Sequence, residues 1–166
     1  MLAGLPGAGK TTVAAIAAAE LGSSWCDLDA RVVQGAGQSI ADIFADQGEA
    51  HFRDLERAAL ASVLAGPPQI VAAGAGWLAQ PGNLAAAGSA VVLYLSVSPA
   101  VAARRLVGTT DRPLLAGDGL EDRLTALLAA REGHYARAAA DIPAGNDPPE
   151  TVAQAVVREA RRLAGW

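Results

Sequence analysis

Residues Gly4-Leu5-Pro6-Gly7-Ala8-Gly9-Lys10-Thr11 form the pattern G-x-x-x-x-G-K-T, and this stretch decides the fold class. The glycines let the backbone curl so that successive N–H groups point at a bound anion, and the lysine adds a charge for the β- and γ-phosphates. An apolar run with helical spacing follows, as the pattern requires. We therefore predict a nucleoside triphosphate site at Gly7, Ala8, Gly9, Lys10, Thr11 and Thr12, with the Thr11 hydroxyl as a ligand of Mg²⁺.

The composition of the 166-residue chain argues against several other classes of protein. A formal net charge of −4 gives no basic face for nucleic acid or a membrane surface. The apolar stretches are short and alanine-rich, and no basic-then-apolar signal segment opens the chain. The lone Cys26 cannot form an internal disulfide. We expect one cytoplasmic domain over residues 1–166, a monomer whose partner is a small-molecule substrate rather than nucleic acid or membrane.

Short β-type runs alternate with helical stretches, which is typical of an α/β fold with a parallel sheet. The pattern predicts strands at Ile70–Ala73 and Val91–Leu95, with weaker candidates at Trp25–Asp27 and around Asp141-Ile142. Because three residues precede Gly4, the first strand is expected to be the shortest or the most exposed. Helices are predicted over Thr11–Leu21, Gly48–Ala65, Pro99–Val107, Leu120–Ala139 and Pro149–Leu163.

The periodic pattern breaks over about residues 108–119. This segment has glycines near both ends and contains Arg112. In an enzyme that transfers a phosphoryl group, a glycine-hinged loop with an arginine is suited to act as a lid, which excludes water and brings charge to the phosphates. We predict a lid here, with an ordinary surface loop as the alternative.

Asp27 and Asp29 follow the second predicted strand, at the edge of the sheet where ligands gather in parallel α/β folds. On a strand, alternate residues face the same side, so both carboxylates are expected on one face. One is suited to hold Mg²⁺ directly or through water, and the other to orient an attacking hydroxyl.

The order of motifs along nearly the whole chain resembles that of the shikimate kinases. The phosphate loop is followed by Asp27-Leu28-Asp29, Ser39-Ile40-Ala41-Asp42-Ile43-Phe44, Gly48-Glu49, Phe52-Arg53-Asp54-Leu55-Glu56, Gly74-Ala75-Gly76, Arg112-Pro113-Leu114-Leu115, and Arg131 ahead of Tyr135. The resemblance implies a three-layer P-loop kinase fold. Its five-stranded parallel sheet has the order 2-3-1-4-5 with helices on both faces, substrate-binding helices at about residues 30–60 and a lid loop. It also implies ATP-dependent phosphorylation of the 3-hydroxyl of shikimate, in aromatic amino acid biosynthesis.

Shikimate carries one carboxylate and three hydroxyls, and the residues suit that chemistry. Arg53 and Arg131 are positioned to clamp the carboxylate by charge-assisted hydrogen bonds. Asp29 is placed to accept from the ring hydroxyls and orient the attacking one, while Glu56, three residues after Arg53, is placed to hold its guanidinium. Apolar walls are predicted at Phe44 and Phe52.

The remaining roles rest on the resemblance alone. It assigns Asp27 to Mg²⁺ through water, together with Thr11, and it assigns Arg112 of the lid to the phosphates of ATP. Arg105 occupies the place where the family packs an arginine against adenine. The predicted catalytic residues are Lys10, Asp29 and Arg112.

The sequence departs from the family at Gly74-Ala75-Gly76, where the family has three glycines and offers backbone N–H groups to the substrate, and at the Trp77 that follows. If Ala75 requires a positive φ, its methyl group costs about 1 kcal/mol; at negative φ it is harmless. Trp77 either narrows the pocket or fills the core. Two alternatives stay open: a kinase of a related hydroxy acid or polyol (gluconate-like or aminoshikimate-like), and a nucleotide-binding regulatory module without catalysis.

Overall fold

A five-stranded parallel sheet lies at the centre of the chain, in a computed structural model that describes residues 1–107 and 119–166. The strands are β1 (Leu2–Ala3), β2 (Ser24–Asp27), β3 (Gln69–Ala72), β4 (Leu93–Ser96) and β5 (Ala140–Pro143). Their spatial order is β2-β3-β1-β4-β5, and every neighbouring pair is parallel. The predicted order 2-3-1-4-5 is therefore confirmed.

Seven α-helices in the described ranges cover the two faces of this sheet. They are α1 (Lys10–Leu21), α2 (Leu28–Ala36), α3 (Ile40–Leu64), α4 (Asn83–Ala86), α5 (Pro99–Leu106), α6 (Leu120–Tyr135) and α7 (Pro149–Ala164), and a short 3₁₀ turn spans Trp77–Ala79. Helix α1 packs on α7, α2 on α3, and α5 on α6. None of the helices in residues 1–107 and 119–166 has both the length and the hydrophobicity needed to cross a bilayer.

The alanine-rich composition has a direct consequence for the packing of α1. This helix buries Val13, Ala14, Ala17 and Ala18, while α7 buries Val152, Ala153, Val156, Val157 and Ala160. Small side chains let two helix backbones approach closely, and the contact area is then filled without bulky residues. Helix α1 also contacts β1, β2 and β3, so it packs on the half of the sheet that contains these three strands.

The first strand is the shortest of the five, as predicted, because it has two residues where each other strand has four. Both residues are nevertheless fully buried, with Leu2 pairing with Ala72 and Leu93. A cavity of about 280 Å³ lies at the amino ends of the strands, lined mainly by apolar residues that include Val71, Leu93 and Trp166. This cavity is at the opposite end of the strands from the phosphate loop.

The helix predicted over Gly48–Ala65 matches the second part of α3, because Gly48 interrupts α3 with φ 79° and ψ 172°. The first part of α3 begins at Ile40, where the Ser39 hydroxyl accepts a hydrogen bond from the Asp42 N–H at 3.1 Å and caps the first turn. The residue pattern predicted neither this first part nor α2, whereas the resemblance implied substrate-binding helices at about residues 30–60. The helix predicted to run to Ala139 ends at Tyr135, since the chain enters β5 at Ala140.

Candidate functional site

The phosphate loop joins β1 to α1 at the carboxyl edge of the sheet. Gly9 has φ 84° and ψ 16°, a left-handed conformation suited to glycine, and α1 begins at Lys10, so the amino end of the helix faces the loop. The Lys10 ammonium donates to the Gly4 and Leu5 carbonyl oxygens, at 3.0 Å each. These two hydrogen bonds hold the ammonium group against the loop. Lys10 is buried there, with 8% of its surface exposed.

Thr11 and Asp27 meet beside this loop. The Thr11 hydroxyl donates to Asp27 Oδ2 at 2.6 Å. Asp27 Oδ1 accepts from the N–H groups of Asp29 and Ala30, at 3.0 and 3.3 Å. One carboxylate oxygen is thus used to orient the side chain, and the other points to the threonine.

This pair fits a magnesium ion bound together with phosphates. Mg²⁺ prefers oxygen ligands and is usually held by one or two protein groups, with water and substrate phosphates completing the shell. A hydroxyl and a carboxylate oxygen in contact supply that donor set. Within the described residues there is no group of three or more metal-ligating His, Cys, Asp or Glu side chains, so the dedicated all-protein type of metal site is not found there.

The placement of Asp29 on a strand was wrong. Strand β2 ends at Asp27, and Asp29 lies in the first turn of α2. The reason is local: the Asp27 carboxylate caps two N–H groups at the start of α2 and turns the chain into a helix. Asp29 still reaches the centre of the site, because a side-chain carbon added at Gly74 would lie 2.6 Å from Asp29 Oδ1.

Arg53 and Glu56 form a buried ion pair, as the spacing predicted. Arg53 Nη1 donates to Glu56 Oε2 at 2.9 Å, and its Nε and Nη2 donate to Glu49 Oε1 at 3.2 and 2.9 Å. Burial disfavours the charged guanidinium, but the two carboxylates outweigh this and raise the pKa of Arg53. Arg53 therefore stays cationic, and its hydrogen bonds to Glu49 and Glu56 hold the guanidinium in one orientation.

Glu56 is fully buried, which raises the pKa of its carboxyl despite the opposing effect of Arg53; the nearby Asp29 raises it further. Its Oε1 has no hydrogen-bond partner among the described residues, and an added carbon at Gly74 would lie 2.6 Å from it. The backbone at Gly74 thus lies close to the carboxylates of both Asp29 and Glu56. A larger residue at this position would have to displace them.

Gly74, Ala75 and Gly76 form a turn, called here the 74–76 turn, that follows β3. A side-chain carbon added at Gly76 would lie 3.1 Å from Arg53 Nη2 and 3.5 Å from Arg131 Nη2. The Ala75 carbonyl accepts from Arg131 Nη1 at 2.9 Å and from the Tyr135 hydroxyl at 3.3 Å. The two arginines that were predicted to clamp a carboxylate therefore converge on one turn, although they lie 78 positions apart in the sequence.

The departures at Ala75 and Trp77 do not distort this turn. No residue other than glycine has a positive φ in the described part of the chain, so Ala75 is not strained. Trp77 is fully buried in the main core cluster, and its backbone N–H donates to the Gly74 carbonyl at 3.0 Å. Trp77 therefore fills the core and does not narrow the pocket.

Phe44 and Phe52 pack together in a second, smaller core cluster with Val32 and Ile43. Their ring centroids are 4.9 Å apart, and the Arg53 guanidinium lies 5.0 Å from the centre of the Phe52 ring. Phe52 is buried and Phe44 is half-buried. Their predicted role as walls for a substrate ring stays a prediction.

Arg105 lies at the other end of the phosphate loop. Its guanidinium donates to the Gly7 carbonyl at 3.2 Å and to the Gly145 carbonyl. A groove of about 190 Å³ lies beside it, lined by Ala8, Gly9, Thr12, Val13, Arg105, Ala144, Asp147, Pro149 and Val152. The groove suits a base attached to phosphates on the loop, and the segment 144–149 that closes it was not predicted as part of the site.

The predicted lid and Arg112 lie outside the described residues, apart from Gly119. Three residues with a place in the site were missed by sequence reasoning: Glu49, Gly145 and Tyr135. Glu49 had a usable signal, because it lies four residues before Arg53 on a helix. Tyr135 was part of the motif that carries the resemblance, but nothing in the sequence marked its hydrogen bond to the distant Ala75 carbonyl, and nothing marked the Gly145 carbonyl as the acceptor for Arg105.

Comparison with known proteins gives a consistent result. The family model described as Shikimate kinase matches residues 6–161. A shikimate kinase of Mycobacterium tuberculosis (strain ATCC 25177 / H37Ra) is 41% identical over 139 residues, which is 84% of this chain and 79% of the relative. A shikimate kinase of Geobacter metallireducens is 43% identical over 141 residues, which is 83% of this chain and 78% of the relative. The structure of the Acinetobacter baumannii shikimate kinase in complex with shikimate superposes with a TM-score of 0.90 at 29% identity and covers 99% of this chain and 92% of that one.

Proposed function

The chain belongs to the shikimate kinase family, and we propose that it transfers the γ-phosphate of ATP to the 3-hydroxyl of shikimate. The observation that carries this proposal is the convergence of Arg53 and Arg131 on Gly76, next to the contact of Asp29 with Gly74. A small ring that carries a carboxylate at one end and a hydroxyl at the other matches this distribution of charge. The guanidinium groups of Arg53 and Arg131 are suited to bind the substrate carboxylate, and the Asp29 carboxylate is suited to orient a substrate hydroxyl.

Each group has a defined task in the transfer. Arg53, fixed by Glu49 and Glu56, and Arg131 hold the substrate carboxylate, so that a ring hydroxyl lies at Asp29. Asp29 accepts the hydroxyl proton while the oxygen attacks the γ-phosphorus, and the bond from that phosphorus to the bridging oxygen of ADP breaks. Lys10 and the loop N–H groups stabilise the charge on the phosphate oxygens. Thr11 and Asp27 would hold Mg²⁺, which neutralises phosphate charge when bound.

The two departures from the family that suggested a different acid leave this arrangement unchanged. Ala75 is unstrained and Trp77 lies in the core rather than beside the arginines. No contact among the described residues favours gluconate or an aminated analogue over shikimate.

A coupled ADP-release assay tests the proposal with shikimate, an aminated shikimate analogue, gluconate and the methyl ester of shikimate. We expect shikimate to have the highest kcat/KM, and the ester, which lacks the charge, to lose at least about 100-fold. A preference for gluconate or for the amino analogue, or ADP release that no acid stimulates, would contradict the proposal.

Gly74→Ala is expected to lower kcat/KM for shikimate by about 100-fold or more. The added carbon would lie 2.6 Å from both Asp29 and Glu56 and must displace them, and a shift of about 1 Å in a catalytic group is enough for such a loss. Ala75→Gly is the matched control in the same turn. Because Ala75 has no positive φ, we expect its kcat/KM to change by less than about twofold. Equal effects of the two variants in steady-state assays would show that the contact at Gly74 is unimportant.

A further inference from the structure

The Ala75 carbonyl receives two hydrogen bonds from the same helix. Arg131 and Tyr135 lie four residues apart on α6, hence on one face, and both donate to this oxygen, at 2.9 and 3.3 Å. Tyr135 itself is buried, with 3% of its surface exposed. A carbonyl oxygen has two lone pairs and accommodates both donors, so two hydrogen bonds join α6 to the 74–76 turn at this one atom.

These two hydrogen bonds also determine how the peptide between Ala75 and Gly76 is oriented. In a planar trans peptide, the carbonyl and the following N–H point in opposite directions. The carbonyl of Ala75 points to α6, so the N–H of Gly76 points away from α6. Gly76 is also the residue on which Arg53 Nη2 and Arg131 Nη2 converge. The donors to the Ala75 carbonyl therefore fix the plane of the peptide that joins Ala75 to Gly76, next to the two arginines.

We propose that Tyr135 is a positioning residue, which holds the Ala75 carbonyl and thereby fixes the orientation of the 74–76 turn, on which Arg53 and Arg131 converge at the position proposed for the substrate carboxylate. The inference rests on the proposed function for the identity of that carboxylate. Arg131 forms the shorter of the two hydrogen bonds, but under the proposed function its guanidinium also binds the substrate. Tyr135 keeps the carbonyl in place when Arg131 turns to the acid.

Tyr135 is held rigidly enough for this task. Its ring stacks on Tyr94 of β4, with centroids 4.4 Å apart and an angle of 8° between the planes. Burial raises the pKa of Tyr135, although the neighbouring Arg131 lowers it, and burial also raises the pKa of Tyr94 to about 12. The phenol of Tyr135 thus remains protonated, and remains a donor, at neutral pH.

The test uses Tyr135→Phe, which removes the hydroxyl and keeps the stacked ring, and Tyr94→Phe as the matched control on the other ring of the stack. Isothermal titration calorimetry and steady-state kinetics measure binding and turnover. For Tyr135→Phe we expect Kd and KM for shikimate to rise by about 3- to 10-fold, the range of one lost hydrogen bond, with the KM for ATP changed by less than about twofold. Tyr94→Phe should change none of these by more than about twofold.

An unchanged Kd for shikimate in Tyr135→Phe would overturn the proposal. So would an equal rise of both KM values, or an equal effect of Tyr94→Phe, since either would indicate a general packing defect. A second measurement does not depend on the substrate: the amide resonance of Gly76 in a ¹H–¹⁵N spectrum should shift in Tyr135→Phe and stay in place in Tyr94→Phe. If the wild-type protein binds no shikimate, the proposed function fails, and the Gly76 resonance still decides whether Tyr135 positions the turn.

Discussion

Replacing Lys10 with alanine is expected to lower kcat by at least about 100-fold, the usual loss when a group that stabilises transition-state charge is removed. The ammonium lies on the loop that faces α1, and the transferred phosphoryl group is stabilised mainly by such preorganised charge. Steady-state ADP release measures the effect. Retention of more than about a tenth of the wild-type kcat would contradict the role of Lys10.

The control for this prediction must separate charge from packing, because the Lys10 side chain is buried and bonds two loop carbonyls. Lys10→Met keeps most of the apolar stem and removes the ammonium. We expect it to be as inactive as Lys10→Ala, with thermal unfolding close to that of the wild type and with shikimate binding retained. An active methionine variant would show that the stem, rather than the charge, matters.

Arg131→Ala is expected to weaken shikimate binding by about 2–5 kcal/mol, which is about 30-fold or more in Kd, because it removes one arm of a desolvated charge pair. ATP binding should change far less, since Arg131 contacts the 74–76 turn and not the phosphate loop. Calorimetry with each ligand measures both values. Equal losses for the two ligands would mean that Arg131 serves the fold or the nucleotide.

Arg53→Ala should have a comparable effect on shikimate, but it is the less direct test. It leaves the fully buried Glu56 without its cation, and breaking a buried pair in this way costs about 3–5 kcal/mol of folding stability. The double variant Arg53→Ala/Glu56→Gln removes that charge as well. If the double variant recovers thermal stability but not shikimate affinity, the loss of binding belongs to the guanidinium itself.

Local signals in the sequence were sufficient to predict an α/β class with a parallel sheet, whereas the order of the strands was implied by the family resemblance. The phosphate loop, the strand at Leu93–Ser96 and the spacing of Arg53 and Glu56 each depend on residues close together in the chain. The position of Asp29 was misjudged because it depends on where β2 ends, and this is decided by the capping role of Asp27. The residues Asp27-Leu28-Asp29 were compatible both with a continuing strand and with the start of a helix.

The contacts that complete the site could not be predicted from the sequence, for a different reason. The Ala75 carbonyl is bonded by Arg131 and Tyr135, and the Gly145 carbonyl by Arg105, so each contact joins a side chain to a backbone atom across at least 40 positions. Backbone carbonyls are present at every residue, and the sequence therefore does not mark the ones that matter. Only the packing of α6 against the 74–76 turn selects Ala75.

The position of the phosphate in the product is the most direct test of the proposed function, because the roles proposed for Asp29 and the arginine pair together determine which hydroxyl faces ATP. Shikimate is incubated with ATP, Mg²⁺ and the protein, and the product is analysed by ³¹P–¹H correlation spectroscopy. We expect a single phosphoester that couples to the proton on carbon 3. A phosphoester on another hydroxyl, a mixture of positions, or no phosphorylated acid at all would contradict it.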